Sequence, residues 1–191
     1  MLDKALHFTS TVLNQFLKVT FSLNENKVVI NNLILPNGDI PEENKNKVVL
    51  SLLNIEQETN KRFYGRNQQL DDGSFKNVNP TERFNLDLLF SSNFQNYSET
   101  LKFLDATIQF FQANSTMDRQ RYSNLPDGID RLNFDIEKIS YNEMHSLWSA
   151  MGAKYQPSVI YKLRLVSIQA DETIQTIPSV TGTNNSTSPN K

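Results

Sequence analysis

Residues Arg83 to Phe90 read RFNLDLLF. In an extended chain Phe84, Leu86, Leu88 and Phe90 fall on one side and Arg83, Asn85 and Asp87 on the other. A period of two marks a strand with one face on a core. The same kind of pattern continues outward in both directions. Upstream, Lys27 to Leu35 (KVVINNLIL) and Lys47 to Gln57 (KVVLSLLNIEQ) are apolar and β-branched, and Pro36-Asn37-Gly38-Asp39 separates them with a turn signal. Downstream, Leu132, Phe134 and Ile136 alternate with Arg131, Asn133, Asp135 and Glu137. In Val159 to Ile168 (VIYKLRLVSI), Val159, Tyr161, Leu163 and Leu165 share one face and Lys162 and Arg164 the other. The expectation is a sheet of about five strands.

Three helices belong with these strands. Leu2, Ala5, Leu6, Thr9, Val12, Leu13, Phe16 and Leu17 recur at helical spacing through the first twenty residues, with Asp3, Lys4, Asn14, Gln15 and Lys18 largely on another face. From about Tyr97 to Gln112, Tyr97, Leu101, Leu104, Ile108 and Phe111 form a heptad-like stripe that Phe103 and Phe110 widen, and Ser98 is the expected cap. Ser140 opens a short helix with Glu143 as its capping-box partner; Met144, Leu147, Trp148 and Met151 make its apolar side, and Gly152 stops it. The helices do not alternate regularly with the strands. The class is therefore α+β, with a mostly antiparallel sheet.

Three stretches lack periodicity. Residues 60–80 form a polar loop with a small basic cluster, Lys61, Arg62 and Arg66. Asn114 to Asp130 is a second polar connection, closed by Pro126-Asp127-Gly128. After Ala170, Thr, Ser, Asn and Pro dominate, and this tail is expected to be flexible on its own. The domain reading is one α+β domain over 1–169 and a tail over 170–191. Long loops of this kind tend to carry contacts.

Composition excludes more than it assigns. The chain has 191 residues, with 19 Lys and Arg against 21 Asp and Glu, for a net charge of -2. A nucleic-acid binder needs a basic surface, so none is expected as partner. There is no cysteine, which removes thiolate catalysis, Cys-ligated zinc and iron–sulfur clusters. The six glycines form neither GxGxxG nor a P-loop, so no nucleotide cradle and no cofactor are expected. The two histidines, His7 and His145, stand outside any HExxH pattern, and no metal site is expected. Glu42-Glu43, Glu56-Glu58 and Asp71-Asp72 read as solvated carboxylates. MLDKALHFTS lacks the apolar core of a signal peptide, and no run approaches the roughly 18 apolar residues of a membrane span, so no membrane partner is expected.

Three longer strings carry a family likeness: SLLNIEQE (51–58), FNLDLLFSSNFQNYSETLKFLDATIQFFQ (84–112) and LWSAMGAKYQPSVIYKLRLVSI (147–168). In the last, Trp148, Gly152, Tyr155, Pro157-Ser158 and Tyr161 recur in order. The chain resembles the small tail-terminator, or cap, proteins of extracellular contractile injection systems, phage-tail-like particles of the antifeeding-prophage type. The likeness spans roughly Leu2 to Ile168. It implies a structural protein rather than an enzyme. Such a protein forms a homohexameric ring on the baseplate-distal end of the particle, binds the last inner-tube and sheath layers, and ends their polymerisation. It implies assembly in the cytoplasm, in a particle then released or kept with the cell. Sheath subunits of such particles are linked by exchanged strands, so the tail, with Asp171, Glu172 and Ile174, is expected to add a strand to a sheath sheet edge, and Lys61, Arg62 and Arg66 of the loop are the expected rim contacts to an acidic tube or sheath surface. A tube-end or baseplate adaptor of the same particle is the second reading. A small hydrolase built from His145, a carboxylate and a serine is the remote one.

Overall fold

The computed structural model of the chain describes residues 1–58, 67–69, 75–78, 82–168 and 173–177. In chain order the elements are α1 (Leu2–Phe21), β1 (Val28–Ile30), a 3-10 turn (Glu42–Asn44), β2 (Lys47–Gln57), β3 (Asn67–Gln69), β4 (Phe75–Val78) and β5 (Glu82–Asn93). They continue with α2 (Tyr97–Ala113), β6 (Thr116–Asp118), β7 (Arg131–Ile136), α3 (Tyr141–Ala150), β8 (Ser158–Ile168) and β9 (Thr173–Ile177). The fold is α+β, as the alternating strings indicated. Two compact units result: residues 1–58 with 83–167, and 59–82 with 168–191.

The larger unit holds a six-stranded sheet in the order β1-β2-β5-β8-β7-β6. β2/β5, β6/β7 and β7/β8 pair antiparallel, but β1 runs parallel to β2, so the sheet is mixed. One strand more than the expected five comes from β6. Thr116-Met117-Asp118 pairs with Asn133-Leu132-Arg131 inside the stretch read as a polar connection. Three residues are too few for periodicity to show, yet Met117 is fully buried. β1 is much shorter than Lys27 to Leu35. The Asn31 side chain accepts from the Asn32 N–H at 2.9 Å, and Asn44 donates to the Asn32 carbonyl at 2.8 Å. On the β2 side the Asn31 carbonyl accepts from the Ser51 hydroxyl at 2.6 Å instead of from a backbone N–H, and the strand ends there.

One sheet face packs on α1 and α2. Leu86, Leu88 and Phe90 of β5 lie there with Val48 and Leu50 of β2 and Tyr161 and Leu163 of β8. Phe111 is the hub, its ring 4.9 Å from Phe90, 4.8 Å from Phe134 and 4.6 Å from Tyr161. The opposite face is covered as well. Leu89, Ile160 and Trp148 form a smaller cluster, with Leu53, Met144, Leu147 and Met151 against it. The β2/β5 register shifts between Leu52 and Asn54, so Leu53 is the extra residue of a bulge. β5 therefore departs from the expected single buried face at Leu89.

α2 buries a different stripe from the one its heptad spacing suggested. Thr100, Phe103, Ala106, Thr107, Phe110 and Phe111 face the core. The Thr107 hydroxyl donates to the Phe103 carbonyl at 2.7 Å, which lets a polar residue sit in an apolar layer. Its cap is Asn96, whose side chain accepts from the Ser98 N–H, rather than Ser98. α3 has the expected capping box between Ser140 and Glu143. Gly152 follows it at φ +66°, a left-handed turn that only glycine adopts freely.

Glu25 links the segment after α1 to β2. Its carboxylate lies 2.6 Å from Lys27 and 3.1 Å from Lys47. Hydrogen bonds from both ammonium groups, Lys27 first, hold its pKa at about 2 instead of the usual 4.5. A depressed carboxylate stabilises the fold above the unfolded value and loses that contribution as pH falls through the folded one. The expected result is a Glu25 carboxyl NMR titration with its midpoint near 2, and acid sensitivity between pH 4.5 and 2 that Glu25→Gln removes. A midpoint at the ordinary value would show that the pair does not persist in solution.

Candidate assembly surfaces

The loop and tail expected to make contacts come together in the second unit. β3 pairs antiparallel with β4 from Asn67↔Asn77 to Gln69↔Phe75. β4 pairs antiparallel with β9 from Phe75↔Ile177 to Asn77↔Gln175, then shifts so that Val78 faces Thr173. Ile174 is thus the bulged residue of β9. Strands stand where a loop and a free tail were expected. FKNV and TIQTI are too short and too polar to announce themselves by alternation. β9 forms an outer strand of this β3-β4-β9 sheet. Lys61, Arg62, Arg66, Asp171 and Glu172 lie outside the described residues, as do positions 178–191.

Two surfaces of the larger unit escaped the sequence reading as contact regions. The heptad-like stripe of α2 is turned partly to solvent: Tyr97 is 65% and Leu101 46% exposed. Leu104 and Ile108 continue it, and none of the four is among the residues packed against either core cluster. On the sheet face that carries α3, a row of charges crosses four strands. Lys162 on β8 lies 3.0 Å from Glu56 on β2 and 3.6 Å from Asp87 on β5, and Arg164 pairs with Asp135 on β7. The Glu56 hydrogen bond, with Asp87 and Glu137 nearby, raises the Lys162 pKa. The bulge at Leu53 brings Asn54 and Glu56 onto this face. The signal was present in the alternation of β8, where Lys162 and Arg164 share a side.

His145 lies on the exposed side of α3 in a groove of about 660 Å³ lined by Ile139, Tyr141, Met144, Trp148, Ser149 and Tyr155. Ser140 and Glu143 border it but are bound to each other. The Glu143 carboxylate accepts from the Ser140 N–H at 2.6 Å, and the Ser140 hydroxyl accepts from the Glu143 N–H at 3.3 Å. That backbone hydrogen bond lowers the Glu143 pKa. The groove is aromatic and apolar and contains no carboxylate among its lining residues. It does not present the base–orienter pair that nucleophilic catalysis requires. No helix among the described residues is long and apolar enough to cross a membrane.

The strand order, the paired helices on one face and the single helix on the other give the chain a fold that can be compared directly. The sequence profile of the Pvc16 N-terminal domain family matches residues 9–182. The chain belongs to the Pvc16 N-terminal domain family. The match takes in both units, since it runs from within α1 past β9. No curated protein matches the chain. Among solved structures, the sheath/tube terminator of PVC, an extracellular contractile injection system, in its extended state is similar at a TM-score of 0.59 and 13% identity over 94% of this chain. The tube-terminating cap of the anti-feeding prophage is similar at a TM-score of 0.53 and 14% identity over 91%. At those identities the likeness is one of fold. The chain spans 63% and 59% of the lengths of those two proteins.

Proposed function

We propose that the chain is a structural terminator. It forms a ring, with six copies as the family likeness implies, on the baseplate-distal end of a contractile, phage-tail-like particle. There it binds the last inner-tube and sheath layers and stops both from growing. The observation that carries this reading is the fold match over nearly the whole chain to two terminators of such particles. The exposed apolar stripe of α2 and the row of charges across β2, β5, β8 and β7 are surfaces of the kind that subunit contacts use. A ring needs two different patches per subunit that meet head to tail. The partners are further copies of the chain, tube protein and sheath protein, assembled in the cytoplasm. Within this reading the loop with Lys61, Arg62 and Arg66 and the tail with Asp171, Glu172 and Ile174 touch the particle. β9, an outer strand of its sheet among the described residues, is the strand that a sheath strand would extend.

The test is electron microscopy of particles from cells with and without the gene. Without it, tubes of unregulated length or tubes lacking sheath are expected. Complementation with a chain cut after Ala170 restores tube length but not sheath attachment if the tail makes the sheath contact. Complete particles of normal length in the absence of the gene refute the terminator reading; normal sheath with the cut chain refutes only the role of the tail.

A further inference from the structure

β1 is the outermost strand at one end of the six-stranded sheet. Its odd-numbered neighbours turn their backbone toward β2: the Lys27 carbonyl accepts from the Val48 N–H at 2.7 Å, and the Asn31 N–H donates to the Leu50 carbonyl at 3.2 Å. By the alternation of a parallel ladder, Val28 and Ile30 turn theirs away from the sheet. Such an edge is a template for another chain. At Val28 the place is already taken. The Asn14 carboxamide of α1 donates to the Val28 carbonyl at 3.0 Å and accepts from the Val28 N–H at 2.8 Å. The same oxygen accepts from the Lys27 N–H at 2.8 Å. One side chain presents the donor and acceptor that a neighbouring strand would present. Two residues beyond Ile30 the backbone is also occupied, the Asn32 N–H by the Asn31 side chain and its carbonyl by Asn44. Among the described residues Ile30 alone remains outward, too short a stretch to set a pairing register. A groove of about 490 Å³ runs between α1 and β1, and Asn14 lines it.

We propose that Asn14 is an edge lock that keeps β1 from accepting a strand of a second copy of this chain. Copies that meet in an assembly, and meet at high local concentration, then join only through surfaces other than this sheet edge. The inference stands on the hydrogen bonds of Asn14 and does not depend on the terminator reading.

The experiment uses the full chain. Asn14→Ala is compared with wild type by sedimentation velocity over a concentration series, with infrared spectroscopy for intermolecular β-structure. The expected result is a shift of Asn14→Ala to larger species with a new intermolecular band. Adding Ile30→Pro, which removes the outward N–H without touching the bonds to β2, is expected to return the distribution to that of wild type. Wild-type association of folded Asn14→Ala overturns the proposal. So does association that persists with Ile30→Pro, since it would come from exposed core. Hydrogen exchange on wild type decides the matter should Asn14→Ala fail to fold. The Val28 amide is expected to exchange as slowly as amides bonded within β2/β5, and the Ile30 amide fast. Equal, fast exchange at both overturns the lock.

Discussion

Replacing Phe111 by alanine is expected to remove about 3–5 kcal/mol of folding stability, a large share of the roughly 5–15 kcal/mol typical of a domain. Phe111 is 1% exposed and touches rings from four elements: Phe110 beside it on α2, Phe90 on β5, Phe134 on β7 and Tyr161 on β8. Three of those rings stand on strands fixed by ladder bonds, so they cannot collapse into the space left behind. The cavity term is then added in full to the lost transfer energy. Phe111→Leu keeps most of the volume and is expected to cost about 1–2 kcal/mol. Urea unfolding with linear extrapolation measures both. A loss below about 1 kcal/mol for the alanine variant would mean that α2 is not packed on the sheet in this way.

Trp148→Ala is expected to cost about 3–5 kcal/mol as well, but with a local signature. Its cluster has three buried members, Leu89, Trp148 and Ile160. The indole N–H donates to the Met144 sulfur at 3.1 Å, and the ring meets Tyr155 edge-on at 5.5 Å. Without the indole, α3 loses its only fully buried side chain, while α1 and α2 keep theirs. Amides of α3 should lose hydrogen-exchange protection and those of β2 and β5 should retain it. Trp148 is the one tryptophan of the chain, so its emission reports on that layer. Leu89→Ala is expected to shift the emission to the red and Phe111→Leu to leave it in place. An unfolding that takes both faces together would refute a separable layer.

The larger elements were legible in the sequence because their burial coincides with letter type. β2, β5, β7 and β8 alternate or run apolar, and the capping box of α3 is written out as Ser140 and Glu143. What escaped notice were places where a polar letter is buried. Thr100 and Thr107 complete the core face of α2, with hydroxyls bonded to the preceding turn, and the eye follows Tyr97, Leu101 and Leu104 instead. Asn14 falls off the apolar stripe of α1, yet it is 7% exposed, because its partner is a backbone group fourteen residues away that no local pattern announces. β3, β4 and β9 are short and polar, and only their mutual pairing makes them strands. Of the six expected contact residues, Ile174 falls in β9 and the other five lie outside the described residues.

The sheet order has a consequence in time. β8, the last strand of the larger unit to be synthesised, lies between β5 and β7 in its middle. Until residues 158–168 leave the ribosome, β5 and β7 each lack a neighbour on one side, and Phe90, Phe111 and Phe134 have no Tyr161 to close over them. Pairing across so many residues carries the loop-closure cost that makes sheets of this kind slow to form. The chain therefore reaches its native shape only after translation has passed β8. Nascent copies made side by side pass through that interval with unpaired strands, which is when chaperones have most to hold.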